Sequence, residues 1–130
     1  MNKKAEKFDQ FLAENGLKMF NKQVVEAEMN PVVYRTFMEV AGQNLPTMLV
    51  LDDSIYAMLQ VRVAAAVVKD SNREAVMAHL NKMNGQYKVF KYYVSEEGDI
   101  LLESCMPTTD NEFVPGLVHA VIDVGVRHLN

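Results

Sequence analysis

Apolar positions along this chain fall into two periods, and the change from one to the other marks its elements. From Ser54 to Ala65 the period is two: Ile55, Ala57, Leu59, Val61 and Val63 share one side, and Ser54, Tyr56, Met58, Gln60 and Arg62 the other. That is the alternation of a strand with one face in the core and the other wet or covered by a partner. Two strands are expected before it. Val32–Ala41 is rich in β-branched and aromatic residues and Thr47–Leu51 is a short apolar run, with Gly42-Gln43-Asn44 and Asp52-Asp53 as the turns. After Asp70 the period lengthens. Val76, Leu80 and Met83, with Ala75 and His79 beside them, form a helical stripe. Ser71 stands three residues before Glu74, the spacing of a capping box, and Asn84-Gly85 ends the helix. A hairpin follows, Tyr87–Val94 and Ile100–Met106, turning at Glu96-Glu97-Gly98-Asp99, with Gly98 available for positive φ and Pro107 as the stop.

Both ends of the chain read as helices. Lys3–Asn15 places Phe8, Phe11 and Leu12 at helical spacing ahead of Gly16. The last helix starts at Asp110 or Asn111, with Pro115 in or near its first turn. Leu117, Val118, Val121, Ile122, Val124 and Leu129 leave it little polar face, so it requires cover on more than one side, from the fold or from a second subunit. Leu17–Asn30 stays open between an edge strand at Val24-Val25 and an irregular connection. The order α-β-β-β-α-β-β-α, with strands grouped in hairpins, predicts an α+β fold: a mostly antiparallel twisted sheet of about five strands packed with helices.

Length adds that 130 residues fit one domain, 1–130, with a substantial core. A formal net charge of -4 and scattered basic residues give no electrostatic support to a nucleic-acid or anionic-membrane partner. Lys3, Lys4 and Lys7 read as a solvated helix face. One cysteine, Cys105, excludes an intramolecular disulfide, and the N-terminal stretch has no signal-like apolar run, so the expected location is cytoplasmic.

Several strings carry a family resemblance. The helix ends in Leu80-Asn81-Lys82-Met83-Asn84, a strand follows with Phe90-Lys91-Tyr92, and the next turn is Glu97-Gly98-Asp99. With the terminal Phe113–Leu129 segment, these resemble the YbjN-like family of small bacterial proteins over roughly residues 32–129. The resemblance implies a fold like that of type III secretion chaperones and a regulatory role, with no catalytic residue set to carry over.

The candidate chemistry is sparse. His79, His119 and His128 show no metal-ligand spacing, and His119, Asp123 and Arg127 are spaced for ordinary i,i+4 contacts. Cys105 is expected as a packed, inert thiol. Asp52-Asp53 and the Glu-Glu-Gly-Asp string lack the alternating oxygen ligands of a calcium loop and read as turns. No metal or cofactor is called for. The methionines and tyrosines in the strands suit an adaptable apolar contact surface. The reading is therefore a non-enzymatic protein- or peptide-binding module acting as a homodimer, with Tyr56, Met58 and Arg62 as its candidate surface. The competing reading is a small enzyme or small-ligand protein whose pocket gathers distant residues such as Arg35, Tyr56, Arg62 and Glu103.

Overall fold

The structure is a computed structural model. It describes residues 1–86 and 89–129, the side chains of 126–128 excepted. Its elements run α1 (Lys3–Glu14), β1 (Asn21–Val24), β2 (Val32–Val40), β3 (Gln43–Leu51), β4 (Tyr56–Ala64), α2 (Arg73–Gln86), β5 (Lys91–Val94), β6 (Ile100–Pro107) and α3 (Pro115–Leu129). Six strands form one antiparallel sheet in the order β1-β2-β3-β4-β6-β5. The α+β architecture is as the hydrophobic pattern predicts, with one strand more. The extra strand is β1, which settles the open segment: it pairs Asn21–Val24 with Val32–Arg35 at the sheet edge.

Element ends moved where turn chemistry misleads. Ala41 and Gly42, both at positive φ, close β2 onto β3 in two residues, so pairing runs through Gln43 and Asn44, residues that read as turn formers. The helix α2 begins at Arg73, one residue later than a cap at Ser71 requires. The side chain that ties its approach is Asn72, which accepts from the Lys69 N–H at 2.7 Å and donates to the Val67 carbonyl at 2.9 Å. Pro115 opens α3 itself, after a turn at Thr109–Glu112. The expected strand start at Tyr87 and the Asp123–Arg127 pair fall outside the described residues.

The strand period divides the sheet cleanly. Tyr34, Leu49, Leu59 and Ser104 stand in register across β2, β3, β4 and β6, all buried. Phe8 of α1 meets Tyr34 edge-on at 4.8 Å between ring centroids, and Phe20 closes the cluster at 5.5 Å from Phe8. Each fully buried large apolar side chain here contributes about 1.5–3 kcal/mol. The helix α3 covers the same face through Val118, with Val121, Ile122 and Leu129 half-buried. Gly125 lets it approach closely, since an added Cβ would lie 3.4 Å from the Phe90 ring.

Polar groups fix α1 on that face. Asn2 caps the helix, accepting from the Ala5 N–H at 2.8 Å, while its amide donates to the carbonyls of Leu51 and Asn30 at 2.7 and 2.8 Å. Lys4 is fully buried and donates to the carbonyls of Ser54 and Tyr56. Lys7 is half-buried and reaches the Asp110 carbonyl, leaving only Lys3 of the three on a solvated face. These lysines sit where they do because the β3–β4 turn and the approach to α3 present carbonyls with no strand partner.

Two further contacts place the edges. The Asn84 side chain donates to the Tyr92 carbonyl at 3.1 Å and accepts from its N–H at 2.6 Å, so α2 caps the outer edge of β5 with an amide that imitates a strand. This is what the Leu-Asn-x-x-Asn ending does. In the β5–β6 turn the Gly98 carbonyl accepts from both Val67 and Val68 N–H, at 3.1 and 3.0 Å, and the Asp99 carboxylate from Ala66 N–H at 2.8 Å.

Gly98 has φ +84 and a Cβ there would lie 2.5 Å from the Val68 carbonyl oxygen. Gly98→Ala is expected to cost about 2 kcal/mol or more, seen as a lowered urea midpoint; an unchanged midpoint refutes the docking of residues 66–68 on this turn. Tyr34 donates to Asp9 Oδ1 at 2.6 Å, and burial, reinforced by Asp9, holds its hydroxyl protonated far above the ordinary tyrosine range. The unfolded chain releases that proton near pH 10 and the folded one later, so folding stability falls as pH rises above about 10. Tyr34→Phe is expected to cost about 1 kcal/mol at neutral pH and to flatten part of the alkaline loss in urea titrations. An alkaline limb identical to wild type contradicts this.

Candidate binding face

The opposite face of the sheet is assembled by the same register. One row runs Asn21, Arg35, Met48, Gln60, Glu103, Lys91, one residue from each strand in sheet order. A second runs Gln23, Val33, Val50, Met58, Cys105. Beyond Val33, which is buried, these residues are half-buried or exposed. Cys105 belongs here: it pairs with Met58 and is exposed, not packed as its apolar neighbours suggest. The residue turned inward is Ser104, whose Oγ is buried with no hydrogen-bond partner.

At the β5 end of the first row the polar groups satisfy one another. Glu103, mostly buried, accepts from the Tyr93 hydroxyl at 3.1 Å and from the Gln60 amide at 3.4 Å, and Lys91 lies 3.6 Å away. Burial first, then the bond to Glu103, holds the Tyr93 hydroxyl protonated to higher pH than usual. A carboxylate so engaged is a structural group.

The middle of the face opens into a cavity of about 560 Å3. Its floor is Met48, Gln60 and Leu101, its apolar wall Phe37 and Pro46, and Met19 stands at the mouth. Phe37 is 66% exposed, an unusual state for a phenylalanine within a strand. Two arginines enter from different strands, Arg35 from β2 and Arg62 from β4, and neither has a carboxylate within ion-pair distance among the described residues. The Arg35 guanidinium donates to the Met48 sulfur at 3.6 Å. The β5–β6 turn adds Ser95, Glu97 and Asp99 to the lining.

Of the three surface residues expected from alternation, all lie on this face: Tyr56 and Arg62 exposed, Met58 half-buried. Arg62 lines the cavity; Met58 and Tyr56 lie further along β4, toward Pro107. The four residues of the enzyme reading do not converge. Arg35 and Arg62 share the cavity, Glu103 is held in its own cluster, and Tyr56 sits at the far end of the strand. Phe37 and Glu97 join the two arginines through the strand order, with β6 inserted beside β4, which leaves no mark on local pattern.

Elsewhere the ionisable groups act locally. Asp52 accepts from the Ser54 N–H at 3.0 Å and Asp53 from the Asn30 amide at 2.8 Å, both as turn residues. His119 lies 3.7 Å from Asp123 and against the Phe11 ring. No group of three or more His, Cys, Asp or Glu able to hold a metal occurs among the described residues. Nor is any described helix long and apolar enough to cross a membrane.

Comparison with known families gives one match, over residues 9–130, to the YbjN model, described as "putative bacterial sensory transduction regulator". The chain belongs to the YbjN family. The match reaches further toward the N-terminus than the resemblance in the hairpin strings and takes in the second half of α1. The YbjN description is that of a regulator and names no reaction. No curated protein matches the chain.

If the cavity is a working surface and not part of the fold's support, its residues can be changed without loss of stability. Phe37→Ser and Arg62→Ala are each expected to shift stability by less than about 0.5 kcal/mol, whereas Met38→Ala, one residue away on the buried face, costs about 2–4 kcal/mol. Urea unfolding of the three variants distinguishes them, and a large loss in Phe37→Ser makes the cavity wall structural.

Proposed function

We propose that this YbjN-family chain is a non-enzymatic, cytoplasmic regulatory module that binds a segment of another protein on the uncovered sheet face. The observation that carries this is the cavity on that face, where an exposed phenylalanine stands with two arginines that have no ion pair among the described residues. Exposed aromatics and arginines are the residues that anchor protein interfaces. Tyr56 and Met58 extend the same surface along β4, and methionine side chains accommodate varied apolar partners. The cavity's volume also lies in the range of small-ligand sites, which supports a small-molecule effector as the second reading.

The module acts as a homodimer in this reading. Leu117 and Val124, two turns apart on α3, remain 63% and 41% exposed, with Val114 beside them. A helix whose apolar stripe is wider than the fold covers has a place for a second copy.

Photo-crosslinking in the native cell tests the binding face. A benzophenone residue at 56, 58 or 62 is expected to capture a common partner segment, and one at 77, on the exposed side of α2, is not. Identical adducts at 77, or none at the sheet face, remove the assignment. Sedimentation at micromolar concentration is expected to show a dimer that Leu117→Glu/Val124→Glu converts to monomer; a wild-type monomer removes the dimer.

A further inference from the structure

The cavity's charges are of both signs, and no ion pair joins them among the described residues. Arg35 and Arg62 come from β2 and β4, while Glu97 and Asp99 belong to the β5–β6 turn. Asp99 is already engaged by the Ala66 N–H, and Glu97 is exposed on the turn. Phe37, Met48 and Leu101 line the same cavity. Two guanidiniums alone would mark a phosphate site. Two carboxylates on the same cavity remove the net positive field that a multiply charged anion requires. A ligand complementary to this lining carries one acidic group, one basic group and an apolar body between them.

We propose that the cavity selects a mixed-sign peptide segment, in which an acidic side chain is taken by Arg35 and Arg62, a basic one faces Glu97, and an apolar one covers Phe37 and Met48. This rests on the peptide-binding reading above and specifies its substrate class. Guanidinium–carboxylate recognition is bidentate and directional, so Arg35 and Arg62 supply orientation along with attraction. The turn sets the other pole. Because Gly98 and Asp99 fasten it to residues 66–68, Glu97 is presented from a fixed position and not from a free loop. Among the described residues neither arginine has a carboxylate within ion-pair distance, which leaves both guanidiniums available to the ligand's carboxylate.

The test uses three fluorescein-labelled nonapeptides of equal apolar content: Glu/Leu, Lys/Leu, and Glu/Leu/Lys, titrated by fluorescence anisotropy at low salt with the full chain. The mixed peptide is expected to bind at least about tenfold more tightly than either single-sign peptide. Arg35→Gln/Arg62→Gln removes that affinity, while Glu97→Gln lowers it only to the level of the Glu/Leu peptide. Both variants change surface groups, and an unchanged thermal midpoint confirms folding in each. Equal or tighter binding of Glu/Leu identifies a plain anion site and overturns the proposal. So does mixed-peptide binding that is insensitive to the arginines, which leaves the peptide-binding reading intact. Failure of all three peptides to bind overturns both.

Discussion

One-sided cover governs this fold. Six strands of period two must put half their side chains on each face, but α1 and α3 bury only one of them. The apolar core is gathered largely on the covered face: Tyr34, Leu49 and Leu59 in one row, with Phe8 and Val118 above. The opposite face is thereby released from packing. Its residues can be charged, aromatic or soft without cost to the core, and they are. A site on such a face is rigidly backed, because its side chains stand on strands and not on loops.

The cover itself is held by polar groups. Asn2 and Lys4 reach carbonyls at the ends of β3 and β4, and Tyr34 and Lys22 both meet Asp9 of α1. Apolar packing alone would allow α1 to slide along the sheet. Hydrogen bonds at its first turn fix its position, and burial strengthens them. At the far edge Asn84 does the corresponding work for α2. The core is thus closed at two corners by side-chain amides and an ammonium group.

What sequence reasoning recovered follows from range. The alternation in β4, the hairpin at Gly98 and the stripe of Val76, Leu80 and Met83 are set by neighbours a few residues apart, and all are present. Lys4 was misplaced because its partners, Ser54 and Tyr56, are about fifty residues away, and lysine is buried only when such partners exist. Cys105, expected as a packed thiol, is exposed for a different reason: its neighbour Ser104 takes the inward position, the reverse of their hydropathy. Arg62 was legible as outward-facing, and Arg35 as a distant residue that a pocket could gather with it. Phe37 and Glu97 were not, since only the strand order brings them there.

That strand order also has a temporal side. The strands β1 to β4 form a meander of neighbours in sequence, which can pair as the chain leaves the ribosome. The partner of β4, however, is β6, and α2 and β5 must be synthesised first. Until then Leu59 and Val61 stand on an unpaired sheet edge, and the nascent chain carries a sticky border that its own later half is meant to fill. The last strand to join is therefore the central one on that side, and its arrival seals the sheet.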